Sequence, residues 1–590
     1  MTHSMMTVIP APAHVSAADG VWTPVVSLTY VAPEELALAA RTSARDLGAA
    51  FDLATAVSKS PASAHADVTF TVDPAVPTAG YRLAVDESGV TITVADLAGA
   101  HSAAQTLRQL AGPQAFRTAP LAGQPLVVDT GVIEDHPRFG WRGIHLDVAR
   151  HFVPKHEVIR FIDNAAAHHL NVLHLHLTDD QGWRMPIDRY PALTEIGAWR
   201  PRSQVGNSDD PVLDDRPHGG RYSKDDLREI VAHARTRGVT VMPEIDVPGH
   251  VEAAITAYPQ LSSSGRPGAV RTTWGISQDV LNPSLENLEF FKNILDEVVE
   301  VFDSPFIGIG GDEVPTAAWR ANPEIVQHAK ELGLARVEHL HGWFLGQLAT
   351  HLETLGRRAN VWDEGLTEFL PRSASVTSWR GLDAGARAIK GGHDTIMAPE
   401  QVLYLDHRAS DHPDEPIPVG FVRTIEDILA FDPLPAEVLA LHPELHDLNS
   451  ADAMAAFPGD RPVAQEGEHG ALLGPQAQVW TEHLDTPRRV DYATWPRLAA
   501  FAEVAWSPAS DRTPGGTASA EFMARLERHL AILDAAGIEF RPLDGPHPWQ
   551  TRPGIDTIKR DLAVEMEMAG WAGAGGYHED EDGNGYTQSR

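Results

Sequence analysis

Acidic residues and tryptophans recur together at a few points along this chain. They are Asp179-Asp180-Gln181-Gly182-Trp183, Glu244 and Asp246 with His250, Gly310-Gly311-Asp312-Glu313, Trp362-Asp363-Glu364, Trp379, Tyr404 with Asp406, and Trp480 with Glu482. Indole faces cover the apolar C–H faces of a pyranose, and carboxylates accept hydrogen bonds from its hydroxyls. A carboxylic acid with a raised pKa can protonate a glycosidic oxygen. These residue types therefore suit a neutral sugar and acid catalysis on it.

The adjacent pair Asp312-Glu313 narrows the chemistry. In an ordinary retaining hydrolysis two carboxyls flank one anomeric carbon, roughly 5–5.5 Å apart. Neighbours on a strand point to opposite faces and are badly placed for that. Another division of labour fits better. Glu313 protonates the leaving oxygen, while Asp312 orients a second group in the same pocket. An acetamido group at sugar C2, with its own carbonyl oxygen as nucleophile, meets that requirement. A direct carboxylate nucleophile such as Asp406 or Glu482 is the alternative within glycoside hydrolysis, and a silent sugar-binding protein is the alternative outside it.

The elements that must position these residues alternate in type. Short apolar runs occur at 143–149, 171–177, 240–247, 306–312, 360–364, 375–379, 394–398 and 477–482, separated by amphipathic stretches. One helix starts at Ser223 with Asp226 three residues on, buries Leu227, Ile230, Val231 and Ala234, and stops at Gly238. Another runs from Ser284 to Phe302. Strand–helix alternation repeated eight times predicts an α/β protein built on a closed (β/α)8 barrel. In such a barrel, reactive residues gather at the C-terminal ends of the strands, where these clusters fall.

Residues 1–135 read as a small non-catalytic α/β domain. Tyr81, Leu83 and Val85 alternate towards a Glu-Ser-Gly turn, and Val90, Ile92 and Val94 alternate after it, which predicts a hairpin. A helix over about 98–110 and a strand ending near Asp135 follow. The barrel is expected over 136–510, with long connections at 200–222 and 400–470, the latter carrying an insertion over 405–470. A helix and a segment packed on the barrel are expected over 511–570, and an acidic disordered tail over 571–590.

Of 590 residues, 47 are basic and 81 acidic, for a net charge of −34. That surface repels phosphates and anionic lipid, so neither nucleic acid nor membrane is an expected partner. There is no cysteine, which excludes disulfides and thiolate chemistry. No basic n-region with an apolar stretch opens the chain, so a cytoplasmic location is expected. His174 and His176 share one strand face and invite a metal, but the sequence offers no obvious third ligand. GIGGDE places Glu313 where a dinucleotide loop wants its third glycine. No metal and no cofactor are expected.

The stretches HPRFGWRGIHLDVARHF, HLHLTDDQGWRMPI, VMPEIDVPGH, IGIGGDEV, NVWDE, YLD and AQVWTE resemble, in order, those of the glycoside hydrolase family 20 β-N-acetylhexosaminidases, and the resemblance covers roughly residues 20–550. It implies a retaining exo-hydrolase that removes terminal N-acetylglucosamine or N-acetylgalactosamine from oligosaccharides or glycoconjugates. It implies that Glu313 is general acid and then general base, that Asp312 binds the acetamido N–H, and that Tyr404 bonds the acetamido oxygen. Trp362, Trp379 and Trp480 would wall the acetamido group. Arg150 would hold the 3- and 4-hydroxyls, with Glu482 on the 4-hydroxyl and Asp406 near the 6-hydroxyl. Asp179 and His250 would stand behind Glu313 and tune its pKa. The chain departs from the family in having no tryptophan between Tyr404 and Gly470, where members often offer one to the leaving group.

Overall fold

The computed structural model describes residues 4–24, 26–59, 66–207, 211–265, 268–445, 457, 459, 461–508, 512–555, 560 and 562. The expected acidic tail lies outside the described residues.

The N-terminal part is a seven-stranded mixed sheet: β1 (His14–Trp22), β2 (Ser27–Val31), β3 (Ala54–Ser58), β4 (Val68–Val72), β5 (Tyr81–Asp86), β6 (Gly89–Val94) and β7 (Val128–Asp135), in the order β1-β7-β5-β6-β4-β2-β3. The expected hairpin is β5–β6, registered Tyr81 to Val94 and Asp86 to Gly89. Its inward residues Tyr81, Leu83, Val85, Val90, Ile92 and Val94 are buried, as period-two alternation requires. Helices α1 (Ala37–Phe51) and α2 (Leu97–Leu110) pack on this sheet and on each other.

The larger part is a closed barrel of eight parallel strands. They are β8 (Gly143–Asp147), β9 (Val172–His176), β10 (Thr240–Glu244), β11 (Phe306–Gly308), β12 (Arg358–Trp362), β13 (Ser375–Ser378), β14 (Thr395–Met397) and β15 (Leu472–Ala477). The helix from Lys224 to Thr236 carries the capping box of Ser223 and Asp226, and buries the predicted stripe. The helix over Leu285–Val301 is capped by Ser284.

Most strands stop short of the expected C-terminal residue, β8 at Asp147 and β10 at Glu244 among them, and three departures shape the mouth. β11 stops at Gly308 rather than reaching residue 312, because Gly310 and Gly311 take positive φ (67° and 96°) and leave the ladder. β12 ends at Trp362 and gives way to a 3-10 turn over Asp363–Gly365. β15 lies earlier than 477–482 and shares only Ala477 with it. It pairs with β8 at Gln476 and Ala477. Beyond that, Thr481 turns inward, and its N–H and hydroxyl both donate to Asp147 Oδ2 (3.0 and 2.9 Å).

The barrel register stacks side chains in levels. His145 sits opposite His174, and Asp147 opposite His176, on β8 and β9. Met242 sits opposite His174, and Glu244 opposite His176, on β10 and β9. The level at the C-terminal ends is thus Asp147, His176 and Glu244, with His145, His174 and Met242 beneath it.

Within the long connection after β14, short helices occupy Glu400–Leu403, Ile425–Leu429 and Ala436–Leu441. The buried guanidinium of Arg497 anchors it, donating to the carbonyls of Leu405, His407 and Arg423 and also to that of Ala493. The C-terminal helix, Thr517–Ala535, touches both parts. Leu526 and Leu533 join the barrel core, and Ile532 and Ala535 join the N-terminal core. No helix among the described residues is long and apolar enough to cross a membrane.

Asp135, at the end of β7, ties the two parts together. Its Oδ2 accepts from Tyr81 Oη (2.8 Å) and Trp506 Nε1 (2.9 Å), and its Oδ1 from the N–H groups of Ala13 and His136 (both 3.0 Å). Burial pushes its pKa up to about 6 against those bonds. Asp135→Asn would turn an amide NH2 towards one of these donor pairs. A loss of roughly 1–3 kcal/mol is expected, read as a lower thermal midpoint.

Candidate active site

The segment after β11 carries Asp312 and Glu313 on irregular backbone, not on a strand. Glu313 itself has φ +47°, as does His250 at +53°. Such conformations cost about 1–3 kcal/mol each in a non-glycine residue and persist where surroundings fix them. Gly310 is demanded by space as well: a Cβ there would lie 1.6 Å from Asp246 Oδ1. The turn corrects the expectation that the two acids face opposite ways. Both converge on one imidazole, His250 Nε2 lying 3.6 Å from Asp312 Oδ2 and 3.4 Å from Glu313 Oε2.

Charge is compensated by a small set of cations. Arg150 is buried and reaches three carboxylates: Asp179 (2.8 Å), Asp147 (3.5 Å) and Glu482 (3.5 Å). Its Nε donates to Gln181 Oε1 (3.1 Å). Burial would raise the pKa of Asp179, but Arg150 and His250 outweigh it and hold the acid well below its usual value. Burial likewise opposes a charged His250, yet Asp179 at 3.3 Å holds its pKa well above the usual imidazole value. For Asp312, His250 alone does not outweigh burial. Burial, then the nearby Asp246, pushes it well up. Asp246 is itself pushed up to about 7, chiefly by burial. Asp312 Oδ1 is buried and accepts no hydrogen bond among the described residues.

Aromatic rings form a continuous wall beside these acids. Trp362 and Trp480 have ring centroids 6.0 Å apart, Trp480 and Tyr404 6.2 Å, and Tyr404 and Trp379 6.4 Å with nearly parallel planes. Arg150 stacks over Trp480 at 4.9 Å. Trp379 Nε1 donates to Glu364 Oε2 (2.8 Å). Burial, then Glu400 and Asp406, raises the Tyr404 phenol far above its usual pKa, so it remains an O–H donor. Asp406 Oδ1 accepts from the backbone N–H of Trp480 (3.3 Å), and burial with Glu482 nearby pushes its pKa well up.

The eleven residues singled out from sequence are therefore linked into one mouth by contacts from Arg150, Asp179 and His250 on one side and from the aromatic wall on the other. Sequence reasoning assigned no role to Gln181, which braces Arg150, to Glu364, which orients Trp379, or to Asp246, which fills the space that Gly310 vacates. Each stands among the strand-end residues already noted. What was missing was the partner, which spacing along the chain does not reveal.

For a metal, the structure supplies the third residue that the sequence did not. Glu244 and His145 lie close to His174 and His176. The observed arrangement is a hydrogen-bonded one. Glu244 Oε2 contacts His174 Nε2 at 3.0 Å and His176 Nδ1 at 2.5 Å, and His176 Nε2 contacts Asp179 Oδ2 at 2.8 Å. Both ring nitrogens of His176 are engaged in this way.

Residues 139–509 match the model of glycosyl hydrolase family 20, catalytic domain, and residues 5–136 that of glycosyl hydrolase family 20, domain 2. A β-hexosaminidase of Porphyromonas gingivalis is 34% identical over 540 residues, 91% of this chain and 64% of that protein's length. A β-hexosaminidase of Akkermansia muciniphila is 32% identical over 75% of this chain and 82% of its own. Among solved structures, an exo-β-N-acetylglucosaminidase of Vibrio harveyi in complex with N-acetylglucosamine superposes with a TM-score of 0.74 at 28% identity, covering 92% of this chain and 79% of that one. The N-acetyl-β-hexosaminidase of Streptomyces plicatus, in complex with Thio-NAglucal, gives 0.72 at 28% identity, covering 92% and 98%.

Gly310→Ala should displace Asp246 and the turn that carries the acid pair. Misplacing a reacting group by about 1 Å can cost about 10²-fold. A fall in kcat of about that size, with the protein still folded by circular dichroism, is the expected outcome.

Proposed function

The chain belongs to glycosyl hydrolase family 20, and from that premise we propose that it is a retaining exo-β-N-acetylhexosaminidase, acting on terminal non-reducing β-linked N-acetylglucosamine or N-acetylgalactosamine of oligosaccharides or glycoconjugates. The observation that carries this reading is the convergence of Asp312 and Glu313 on His250, with Asp312 Oδ1 left without a partner, in a mouth walled by Trp362, Trp379, Trp480 and Tyr404.

That geometry supports a substrate-assisted course. Glu313 gives its proton to the glycosidic oxygen as the C1–O bond breaks. The sugar's acetamido oxygen, steered by the Tyr404 hydroxyl, attacks C1 and closes an oxazolinium ring. Asp312 accepts the acetamido N–H, and its carboxylate faces the positive charge that develops there. Accepting this N–H gives Asp312 Oδ1 a hydrogen bond that it lacks among the described residues, which favours its carboxylate form. Glu313, now a carboxylate, takes a proton from water as that water attacks C1. The ring reopens to the acetamide, and two inversions at C1 return the original configuration. Arg150, Glu482 and Asp406 hold the hydroxyls. No step calls for a cofactor.

Glu313→Gln is expected to lower kcat by about 10²–10⁴-fold on substrates with poor leaving groups. Asp312→Asn should lower kcat with little change in KM. Thiazoline mimics of the oxazoline should bind far more tightly than product, as transition-state-like ligands do. A panel of β-linked aryl glycosides checks all three. Glucosides hydrolysed as fast as their 2-acetamido analogues, or a product of inverted configuration, would overturn the reading.

A further inference from the structure

We propose that His176 and Glu244, inside the barrel and out of reach of the sugar, are positioning residues that set the acidity of Glu313 by fixing the ionic state of Asp179 and His250. This rests on the reading of Glu313 as the acid.

A line of contacts runs from the mouth down the barrel interior. Glu313 Oε2 lies 3.4 Å from His250 Nε2, and His250 Nδ1 lies 3.3 Å from Asp179 Oδ1. Asp179 Oδ2 is 2.8 Å from His176 Nε2, and His176 Nδ1 is 2.5 Å from Glu244 Oε2. Glu244 Oε2 then meets His174 Nε2 at 3.0 Å, and His174 Nδ1 meets Gln476 Nε2 at 3.0 Å. His176 and His174 have no exposed surface.

Hydrogen-bond inventory fixes the charge of His176, and the ring of acids at ion-pair distance supports that of His250. A carboxylate only accepts, and a neutral imidazole has one N–H. His176 stands between two carboxylates, so filling both bonds requires both ring nitrogens to be protonated. His174 differs. The Gln476 amide donates to its Nδ1, so one proton on Nε2 suffices, and it points at Glu244. The charges therefore alternate: Glu244 negative, His176 positive, Asp179 negative, His250 positive, then the acid pair, with Asp180 Oδ2 also 3.5 Å from His250 Nδ1. Burial disfavours the charged His176, but Glu244 and Asp179 outweigh it and hold its pKa well above the usual value.

The other groups facing His176 do not supply this charge. His145 on β8, with ring centroids 5.6 Å apart, is held well below the usual imidazole pKa, first by burial and then by the neighbouring histidines, and stays neutral. Trp480 packs against the other side at 5.0 Å. Asp246 is close enough to sense His176 but has its pKa pushed up to about 7. Arg150 reaches Asp179 and not His176.

The alternation gives a test by sign. His176→Gln removes a positive charge, so Glu313 ionises less readily and the basic limb of the kcat/KM profile should move to higher pH. Glu244→Gln removes a negative charge while Asp179 still holds the imidazolium, so the limb should move to lower pH. The double variant removes a neutral pair and should fall near wild type. Each single shift should be about half a unit to one unit. Losses in kcat should be larger for poor leaving groups than for dinitrophenyl glycosides, which need little proton donation. Wild-type protein should also show a far-downfield N–H proton resonance that disappears in Glu244→Gln, a readout that survives even if His176→Gln does not fold. Single variants that shift the limb in the same direction or not at all, or the absence of that resonance, would overturn the proposal. If the basic limb persists unchanged in Glu313→Gln, the reading of Glu313 as the acid fails instead.

Discussion

Carboxyl groups crowded into a space with little water repel one another, and the settlement of that repulsion organises one end of this barrel. Asp147, Asp179, Glu244, Asp246, Asp312 and Glu482 are brought together there with one guanidinium, that of Arg150, and with two imidazoles placed to be cationic. Asp179, held by both Arg150 and His250, keeps its charge, whereas Asp312, which faces His250 but no guanidinium, does not. Asp179 is driven down while Asp312, a few ångströms beyond the same His250, is driven up. Two acids of one chemical kind thereby acquire different readiness to hold a proton. An acid-catalysed reaction at neutral pH depends on such a difference.

The scaffold makes this settlement possible by ending its ladders early. β11 and β15 leave the sheet before Asp312, Glu313, Trp480 and Glu482, and β12 ends on Trp362 itself. The freed backbone then turns by left-handed residues or by side-chain anchors such as Thr481 on Asp147. Regular strands deliver side chains alternately to two faces. The irregular turn after β11 lets Asp312 and Glu313 face the same imidazole.

Much of this was legible in the residue order. Eight apolar runs between amphipathic stretches announced the barrel, alternation around Glu87-Ser88-Gly89 announced the hairpin, and Ser223 with Asp226 announced a helix start that holds in detail. The site residues were legible as types clustered at strand ends. Their relations were not. That Asp179 serves both Arg150 and His250, or that Gly310 is shaped by Asp246, depends on residues about 30 to 70 positions apart in the chain. The end of β11 differs because residue order does not announce the positive φ of Gly310 and Gly311, and β15 starts earlier than expected because Gly474 and Pro475 interrupt the apolar pattern of a strand that begins at Leu472.

The early ends of these strands have a consequence for anyone wishing to move this chemistry to another barrel. Transplanting the segment from Gly310 to Glu313 onto a foreign strand would carry the acids but not their orientation, which comes from Asp246 beneath the turn and His250 beside it. The transferable unit is a patchwork drawn from the ends of several strands. A host barrel would accept it only with the whole patchwork in place.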